Sequence, residues 1–408
     1  MRHHAALLRA AAEFRLLFVA TLGSNLGTWM ATIALTVDVQ SRTQSAWWVS
    51  ALLAVTLLPT VLIGLAVGPV IDSVSRKGLL VGADLVRLGV FAALPFVNSA
   101  ALIIVLAGVA GIANSFFRPA VLAGLPNLVS EQELARGTSL LQTADWTATA
   151  VGPVVAGAIV GASGPHLVYW INAATFLFSA VLVLRIAGGY LQSERGITRG
   201  YWRDLREGVG EFRISRPLQT AFFALGFAAI GAGLINVSEI FLARRSLHAG
   251  AFGYGLLWTA AGVGLMSGSL LVGSLLERRT ALSAYPWMFL PWAAGTFGAA
   301  VSPNIWVAAV AMVVSGMGNG LTFPTTVVIV QQATVDTIRG RVFTVIISAH
   351  NALLGVAFAA AGGLTGAFGA RWVFGAAAAL SLVGGVAAFG LTGRNPARIG
   401  VRHHEQVA

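Results

Sequence analysis

The stretch Gly68–Lys77, with the sequence GPVIDSVSRK, decides the fold because it recurs in altered form in the second half of the chain. Gly68 and Asp72 are matched by Gly273 and Glu277 of the stretch GSLLERR, each 205 residues further on. The same offset relates further positions: Asn114 to Asn319, Pro119 to Pro324, Arg136 to Arg341 and Gly157 to Gly362. The chain of 408 residues is therefore interpreted as two copies of one unit.

The composition places this repeat in a membrane. Hydrophobic residues make up 57% of the chain and charged residues only 10%, with a mean hydropathy of +0.80, whereas soluble domains carry about 25% charged residues. Charge-free runs recur, and each is long enough for one or two spans of about 20 residues. We predict an all-α membrane protein with twelve transmembrane helices, six in each half: 16–38, 47–70, 79–97, 100–118, 138–162, 166–186, 218–241, 252–276, 281–301, 304–330, 342–366 and 372–392.

The basic residues predict the orientation. With the N-terminus inside, the inner segments carry 21 of the 26 Lys and Arg residues, including Arg118 at the inner end of the fourth helix. This excess predicts that both termini and the central loop are cytoplasmic. The net charge of +11 then reflects topology and contact with anionic lipid headgroups. It does not indicate nucleic-acid binding, because the positive charges are spread over many short loops.

Three segments follow from this pattern. We predict a six-helix bundle over 1–186, a cytoplasmic amphipathic linker over 187–217, and a second bundle with a short cytoplasmic tail over 218–408. The linker has aromatic and aliphatic residues at helical spacing among arginines, which favours a helix lying on the inner leaflet over a binding segment. The chain has no cysteine, no histidines at metal-binding spacing and no GxxxxGK[ST] phosphate loop. We therefore expect no metal, no cofactor and no enzyme activity.

The loop between the second and third predicted helices carries a resemblance to a known family. Gly68-x-x-x-Asp72 followed by Arg76-Lys77, with its echo at Gly273–Arg279, resembles the loop signature of the major facilitator superfamily (MFS). The segments FFRPAVLAGLPNLVSEQELARGTSLLQ and Gly152-Pro153-x-x-x-Gly157 are similar to the branch that holds the enterobactin exporter and the macrolide efflux pumps. This resemblance implies the MFS fold. One departure is Ser73, where the family usually has an arginine.

The signature residues are interpreted as a gate. The Asp72 carboxylate is placed to cap a helix N-terminus of the other half, and Arg76 and Lys77 to bind carboxylates and lipid phosphates. Such contacts would exist only while the cytoplasmic side is closed, and the alternative is a solvated turn that fixes topology alone. The resemblance extends the gate to Glu277, Arg278 and Arg279, and it connects Gly152, Pro153 and Gly157 of helix five with export direction. The alternative for helix five is ordinary transmembrane packing.

Ionisable side chains within membrane spans are candidates for function. Asp84 and Arg87 are three residues apart on helix three, and we interpret them as a structural ion pair in preference to transport groups. Asp145 and His350 occupy matching positions of the repeat and are candidates for proton coupling, with hydrogen bonds to a neighbouring helix as the alternative. Asp38 and Glu239 are predicted to end helices one and seven on the outer side. They are a second pair of proton-coupling candidates, or plain solvated helix ends.

A polar stripe on helix one indicates a cavity, because polar side chains in a membrane face a partner or water. In the family that the chain resembles, helices one, four, seven and ten line the substrate cavity. The polar or aromatic candidates on these helices are Asn25, Thr28, Trp29, Thr32, Thr36, Asn114, Asn236 and Asn319. Such a site is mostly apolar and suits a bulky amphiphilic solute better than a sugar or a small ion.

Three functions fit these observations. The first is a proton-driven exporter of amphiphilic small molecules such as drugs or siderophores, with a small molecule, protons and membrane lipids as its partners. The second is a facilitator that moves lysophospholipid between leaflets without obligatory proton coupling. The third, a membrane sensor, is disfavoured because a sensor needs no cavity-lining stripe. We expect a monomer in the bacterial inner membrane.

The charge on Asp72 provides the first test. The change Asp72→Asn keeps the side-chain shape and removes a charge-assisted contact of about 1–3 kcal/mol. We expect transport to fall several-fold while substrate binding persists, as measured by uptake and equilibrium binding with the same reconstituted protein. Unchanged transport would leave the loop with a role in topology alone.

Overall fold

The computed structural model describes residues 11–64, 75–187, 215–334 and 336–392, and this part of the chain is all-helical, without a strand. The first half contains six long helices: α1 (Ala12–Thr43), α2 (Ala46–Gly64), α3 (Arg76–Ala93), α4 (Ala100–Gly124), α5 (Leu134–Ser163) and α6 (Pro165–Arg185). The second half contains six more: α7 (Arg216–Phe241), α8 (Gly250–Leu276), α9 (Phe289–Val301), α10 (Ile305–Ala333), α11 (Asp336–Phe368) and α12 (Ala370–Thr392).

Ten helices of the described residues are long and apolar enough to cross a membrane, so the chain is an integral membrane protein. The other two predicted spans, at 47–70 and 281–301, do not form single helices that meet this criterion. The apolar part of α2 that qualifies is the shorter segment Ala46–Pro59. The span predicted at 281–301 is divided into a helical turn at Ala281–Ala284, a 3-10 turn at Tyr285–Met288 and α9, with Pro286 at the break. Because proline has no N–H to donate, it favours such a break. The count of twelve spans stays a prediction.

The turns that connect the helices repeat between the halves. Gly164 ends α5 with φ of 78°, and Gly369, 205 residues later, precedes α12 with φ of 81°. A positive φ is accessible to glycine without steric cost, so both helical hairpins use the same residue for the same purpose. Gln44 and His248, which lie in the turns α1–α2 and α7–α8, also have positive φ, at 51° and 52°.

The apolar core is shared at one end of the bundle and divided at the other. We call the end that holds the α1–α2 and α7–α8 turns the outer end, following the predicted topology, and the opposite end the inner end. At the outer end one continuous cluster of buried residues includes Val49, Ala156, Tyr254 and Phe358 from both halves. The buried clusters nearer the inner end belong to one half each. The halves are therefore packed together at the outer end.

Small residues allow this packing. A Cβ atom added to Gly157 of α5 would lie 2.7 Å from the carbonyl oxygen of Ala251 in α8, and one added to Gly255 of α8 would overlap the carbonyl oxygen of Pro153. The backbones of α5 and α8 are thus in direct contact, as is common for membrane helices that present glycine. The second contact between the halves joins α2 to α11, where Gly362 packs on Trp47.

The contact of α5 with α8 provides the second test. We expect Gly255→Ala to lower stability by about 1–3 kcal/mol, because the added methyl group forces two backbones apart. The matched control is Gly161→Ala on α5, where an added Cβ meets nothing within 4 Å. The midpoint of thermal unfolding of the purified protein measures both changes. Equal midpoints for the two variants would show that the outer contact is not tightly packed.

Candidate functional site

A cavity of about 620 Å³ lies between the two halves. It is lined by residues of α1, α4 and α5 from the first half and of α7, α8, α9 and α10 from the second. Arg118, whose side chain is 66% exposed, lies at its inner mouth. Towards the outer end the cavity meets the shared core. This geometry gives access from the inner end and closure at the outer end.

The polar stripe of α1 is divided between two cavities. Asn25, Thr28 and Trp29 line the large cavity, as do Asn114, Asn236 and Asn319 from α4, α7 and α10. Thr32 and Thr36 line a smaller cavity of about 100 Å³ inside the first half, which Thr28 and Asn114 also border. The hydroxyls of the three threonines donate to carbonyl oxygens one turn earlier, so they do not depend on a ligand for hydrogen bonding.

Asp145 of α5 lies in the large cavity and holds a polar cluster together. Its carboxylate forms an ion pair with Arg118 of α4 at 3.1 Å and accepts a hydrogen bond from the amide of Asn25 in α1. Its side chain is 22% exposed, so it can be reached through the cavity. This acid is therefore neutralised by a cation of its own half, and a proton on Asp145 would release Arg118.

His350, the repeat partner of Asp145, lies elsewhere. It is half-buried in α11 and is not among the residues that line the large cavity. Its Nδ1 atom is buried without a hydrogen-bond partner among the described residues. The structure therefore separates the two members of this predicted pair: one faces the cavity and the other is held within the helix packing.

Asp84 and Arg87 form a buried ion pair within the first half. The carboxylate of Asp84 lies 2.5 Å from the Arg87 guanidinium and accepts a hydrogen bond from Ser179 of α6 at 2.7 Å. The guanidinium also donates to Asn114 of α4 at 3.1 Å. Helices α3, α4 and α6 are thus joined by one polar network, whose charges are mutually compensated as burial requires.

The second half has aromatic rings at the corresponding place. Phe289 and Trp292, each 205 residues after Asp84 and Arg87, stack with ring centroids 6.2 Å apart and planes at 14°. Trp292 also lines the large cavity. The two halves therefore fill equivalent positions with different chemistry.

The two acids near the outer end differ in their surroundings. Asp38 is buried five residues before the end of α1, forms an ion pair with Arg42 at 2.6 Å and accepts a hydrogen bond from Tyr169 at 2.9 Å. It does not line the large cavity. Glu239 does line the cavity, is 2% exposed, and its Oε1 atom has no hydrogen-bond partner among the described residues. The prediction that Asp38 ends its helix is wrong, because α1 continues to Thr43, whereas Glu239 lies in the last turn of α7, which ends at Phe241 and is followed by a π-helical turn (Leu242–Ser246).

The predicted gate is only partly described. Gly68 and Asp72 lie outside the described residues. Lys77 donates from Nζ to the carbonyl oxygens of Leu184 and Ile186, at 2.8 and 2.6 Å, and so binds the C-terminal end of α6. Arg76 is half-buried at the start of α3. The equivalent residues of the second half are exposed just beyond α8: Glu277, Arg278 and Arg279.

Hydrogen bonds join the halves at the outer end. Arg244, in the π-helical turn after α7, donates to Gln40 and to the hydroxyl of Ser41 in α1, the latter at 2.7 Å. Arg245 donates to the carbonyl oxygen of Gln44 at 2.6 Å.

The helix-five motif is a packing surface for two helices. Gly152 faces the Trp29 side chain of α1, while Pro153 and Gly157 face α8. The N–H of Val154 donates to the Thr259 hydroxyl of α8 at 3.2 Å, which links this segment to the second half.

Sequence reasoning missed several residues of the site. Arg118 was expected at the end of helix four, but α4 continues to Gly124, so Arg118 lies inside the helix and reaches Asp145. The need of an intramembrane acid for a counter-charge could have indicated this pair. Three tryptophans of other helices also line the cavity: Trp146, Trp258 and Trp292. The sequence alone does not identify them as cavity residues, because tryptophan also occurs at positions that face lipid.

Comparison with known proteins agrees with this geometry. The model of the transmembrane secretion effector family, one of the MFS families, matches residues 4–397. A curated relative, the uncharacterized MFS-type transporter YfiS of Bacillus subtilis (strain 168), is 27% identical over 161 residues. That match covers 39% of this chain and 39% of the relative.

Solved structures share the fold over nearly the whole chain. The nucleoside transporter NupG has a TM-score of 0.75 at 14% identity, covering 93% of this chain and 98% of that one. A bacterial homologue of the human lysosomal transporter Spinster, in an inward-facing and unoccupied conformation, has a TM-score of 0.76 at 13% identity, covering 94% and 99%. A bacterial homologue of the iron transporter ferroportin, in an inward-facing state, has a TM-score of 0.74 at 13% identity, covering 94% and 100%.

The hydrogen bonds of Arg244 provide the third test. We expect Arg244→Gln to favour opening at the outer end, because it removes charge-assisted bonds to the other half. The chain has no cysteine, so Asn236→Cys in the cavity serves as a single reporter for an impermeant thiol reagent. Labelling from the outer side should become about fivefold faster or more. The control is Arg371→Gln, since Arg371 donates to Ala300 of its own half. Equal labelling rates in both variants would contradict the role of Arg244.

Proposed function

The chain belongs to the transmembrane secretion effector family, and we propose that it exports bulky amphiphilic small molecules from the cytoplasm by alternating access. It is a membrane transporter of the MFS type, and its family and structural neighbours are transporters, not enzymes. The single observation that carries the proposal is the cavity of about 620 Å³ between the halves, closed at the outer end. That volume lies within the range of small-molecule sites, about 300–1,000 Å³.

The lining of the cavity supports an amphiphilic substrate. Four tryptophans provide apolar faces, and asparagines on α1, α4, α7 and α10 provide a few amides for orientation. A sugar would need many more hydrogen-bonding groups, and a metal ion would need several carboxylates or histidines in one place. No group of three such residues occurs in the part of the chain that the structure describes. The resemblance to the enterobactin exporter and the macrolide pumps adds siderophores and macrolides to the candidate substrates.

Proton antiport is the second part of the proposal, with the bacterial inner membrane as its location. Asp145 is the best-placed candidate, because it borders the cavity, is partly exposed and forms an ion pair that protonation would break. His350 is its repeat partner, with a free ring nitrogen. The outer-end acids Asp38 and Glu239 are the alternative proton sites.

Transport by reconstituted protein tests the function. Vesicles with an imposed pH gradient are offered dyes, macrolides, siderophores and lysophospholipids, and protein-free vesicles are the control. We expect uphill movement of at least one aromatic amphiphile that stops when the gradient is removed. Movement of lysophospholipid alone, unaffected by the gradient, would replace the exporter with the facilitator. No movement of any compound would overturn both.

The coupling residues are tested by comparing two rates in one variant. Asp145→Asn or His350→Gln should abolish uphill transport driven by the pH gradient while exchange of labelled substrate continues, because exchange needs no net proton movement. A purely structural role predicts lower thermal stability with the ratio of uphill transport to exchange unchanged. If that ratio keeps the parental value in both variants, the proton site moves to Asp38 and Glu239.

A further inference from the structure

A buried carboxylate oxygen without a hydrogen-bond partner among the described residues lies at the outer end of the cavity region. It is Oε1 of Glu239 in α7, and beside it, one helical turn apart on α8, lie Tyr254 and Trp258, whose side chains interact with each other. Tyr254 and Glu239 are close enough to interact electrostatically. Buried polar atoms are nearly always hydrogen-bonded in native proteins. An unpartnered carboxylate oxygen among the described residues, in a side chain that is 2% exposed and borders the cavity, indicates a site that is completed by a bound molecule.

The charged side chains that line the cavity indicate the charge of this bound molecule. Of the three charged side chains that line the cavity, Arg118 and Asp145 neutralise each other at 3.1 Å. Glu239 has no ion pair within the described residues. The nearest basic residue along the chain, Arg244, donates to Gln40 and Ser41 of the other half. Among the described residues, the cavity therefore contains one carboxylate that lacks a counter-charge, and a buried carboxylate is stabilised by a cation that pairs with it.

The surroundings of Glu239 favour an organic cation over a metal ion. Trp258 packs on Trp29 with ring centroids 5.5 Å apart, and both rings border the cavity. The face of a tryptophan ring attracts a positive charge, most strongly for organic cations that are easily desolvated. Ca²⁺ or Mg²⁺ would require about six oxygen ligands, which one carboxylate surrounded by indole rings does not provide.

We propose that Glu239 binds the positive charge of a cationic aromatic substrate whose ring packs against Trp29 and Trp258. This inference rests on the proposed function and narrows its substrate class to amphiphilic cations. The site lies directly below the bonds of Arg244 to α1. A bound cation therefore sits against the closed outer end.

Binding of two related compounds to the purified protein tests the charge. Ethidium carries a permanent positive charge on a phenanthridine ring, and phenanthridine itself is neutral near pH 8. We expect the wild-type protein to bind ethidium about tenfold more tightly or better, as measured by equilibrium dialysis at that pH. In Glu239→Gln this preference should disappear, with the affinity for phenanthridine unchanged. The control Glu131→Gln removes an exposed carboxylate at the inner end and should keep the preference.

A second pair of variants tests the aromatic part. Trp258→Phe keeps an aromatic ring and should weaken the binding of both compounds by less than about threefold. Trp258→Leu removes the ring and should weaken the binding of ethidium by about tenfold. If Glu239→Gln fails to fold, the comparison of the two compounds with the wild-type protein and the Trp258 variants still tests the cation site. Equal affinities of the wild-type protein for both compounds, or unchanged ethidium binding in Glu239→Gln, would overturn the cation site and leave the exporter intact. Binding of neither compound, together with no transport of any amphiphile, would overturn the proposed function as well.

Discussion

The contact between the backbones of α5 and α8 is the constraint on which the rest of the structure depends. Gly157 and Gly255 bring the two helices together at the outer end, and the shared apolar core forms around this contact. Because two bundles that touch along one end diverge towards the other, the cavity and its inner mouth follow from the same contact. A chain with larger side chains at these positions would have no closed outer end for Arg244 to bridge.

The architecture could be predicted from the sequence to a large extent, because a membrane restricts the choices. Apolar runs between charged loops identified the helices, and the offset of 205 residues located matched turns such as Gly164 and Gly369. Helix ends were less accurate. The prediction ended both helices at the first charged residue, Asp38 or Arg118, whereas α1 and α4 continue to Thr43 and Gly124. A charged residue ends a hydropathy pattern without ending the hydrogen-bonded helix.

The composition of the site was harder to predict than its location. The polar stripe on α1 indicated a cavity. Of the eight polar or aromatic residues predicted on α1, α4, α7 and α10, six line the large cavity, while Thr32 and Thr36 border the smaller cavity instead. The partners of the acids depend on distances between helices that are remote in sequence. Arg118 and Asp145 meet because the long side chain of Arg118 reaches from α4 to α5, and Arg244 is bound to α1, so Glu239 has no basic partner among the described residues.

The exchange of an ion pair for an aromatic stack between the halves makes them unequal in stiffness. Moving α4 or α6 away from α3 would remove the hydrogen bond of Asn114 or Ser179 from a charged group in a low-dielectric interior, so α3, α4 and α6 move as one block. Phe289 and Trp292 lie one turn apart on α9 and carry no charge, so moving α9 against its neighbours costs dispersion contacts and separates no ion pair. At these equivalent positions the first half is therefore held together by charge and the second by packing alone, which makes the first half the stiffer of the two there.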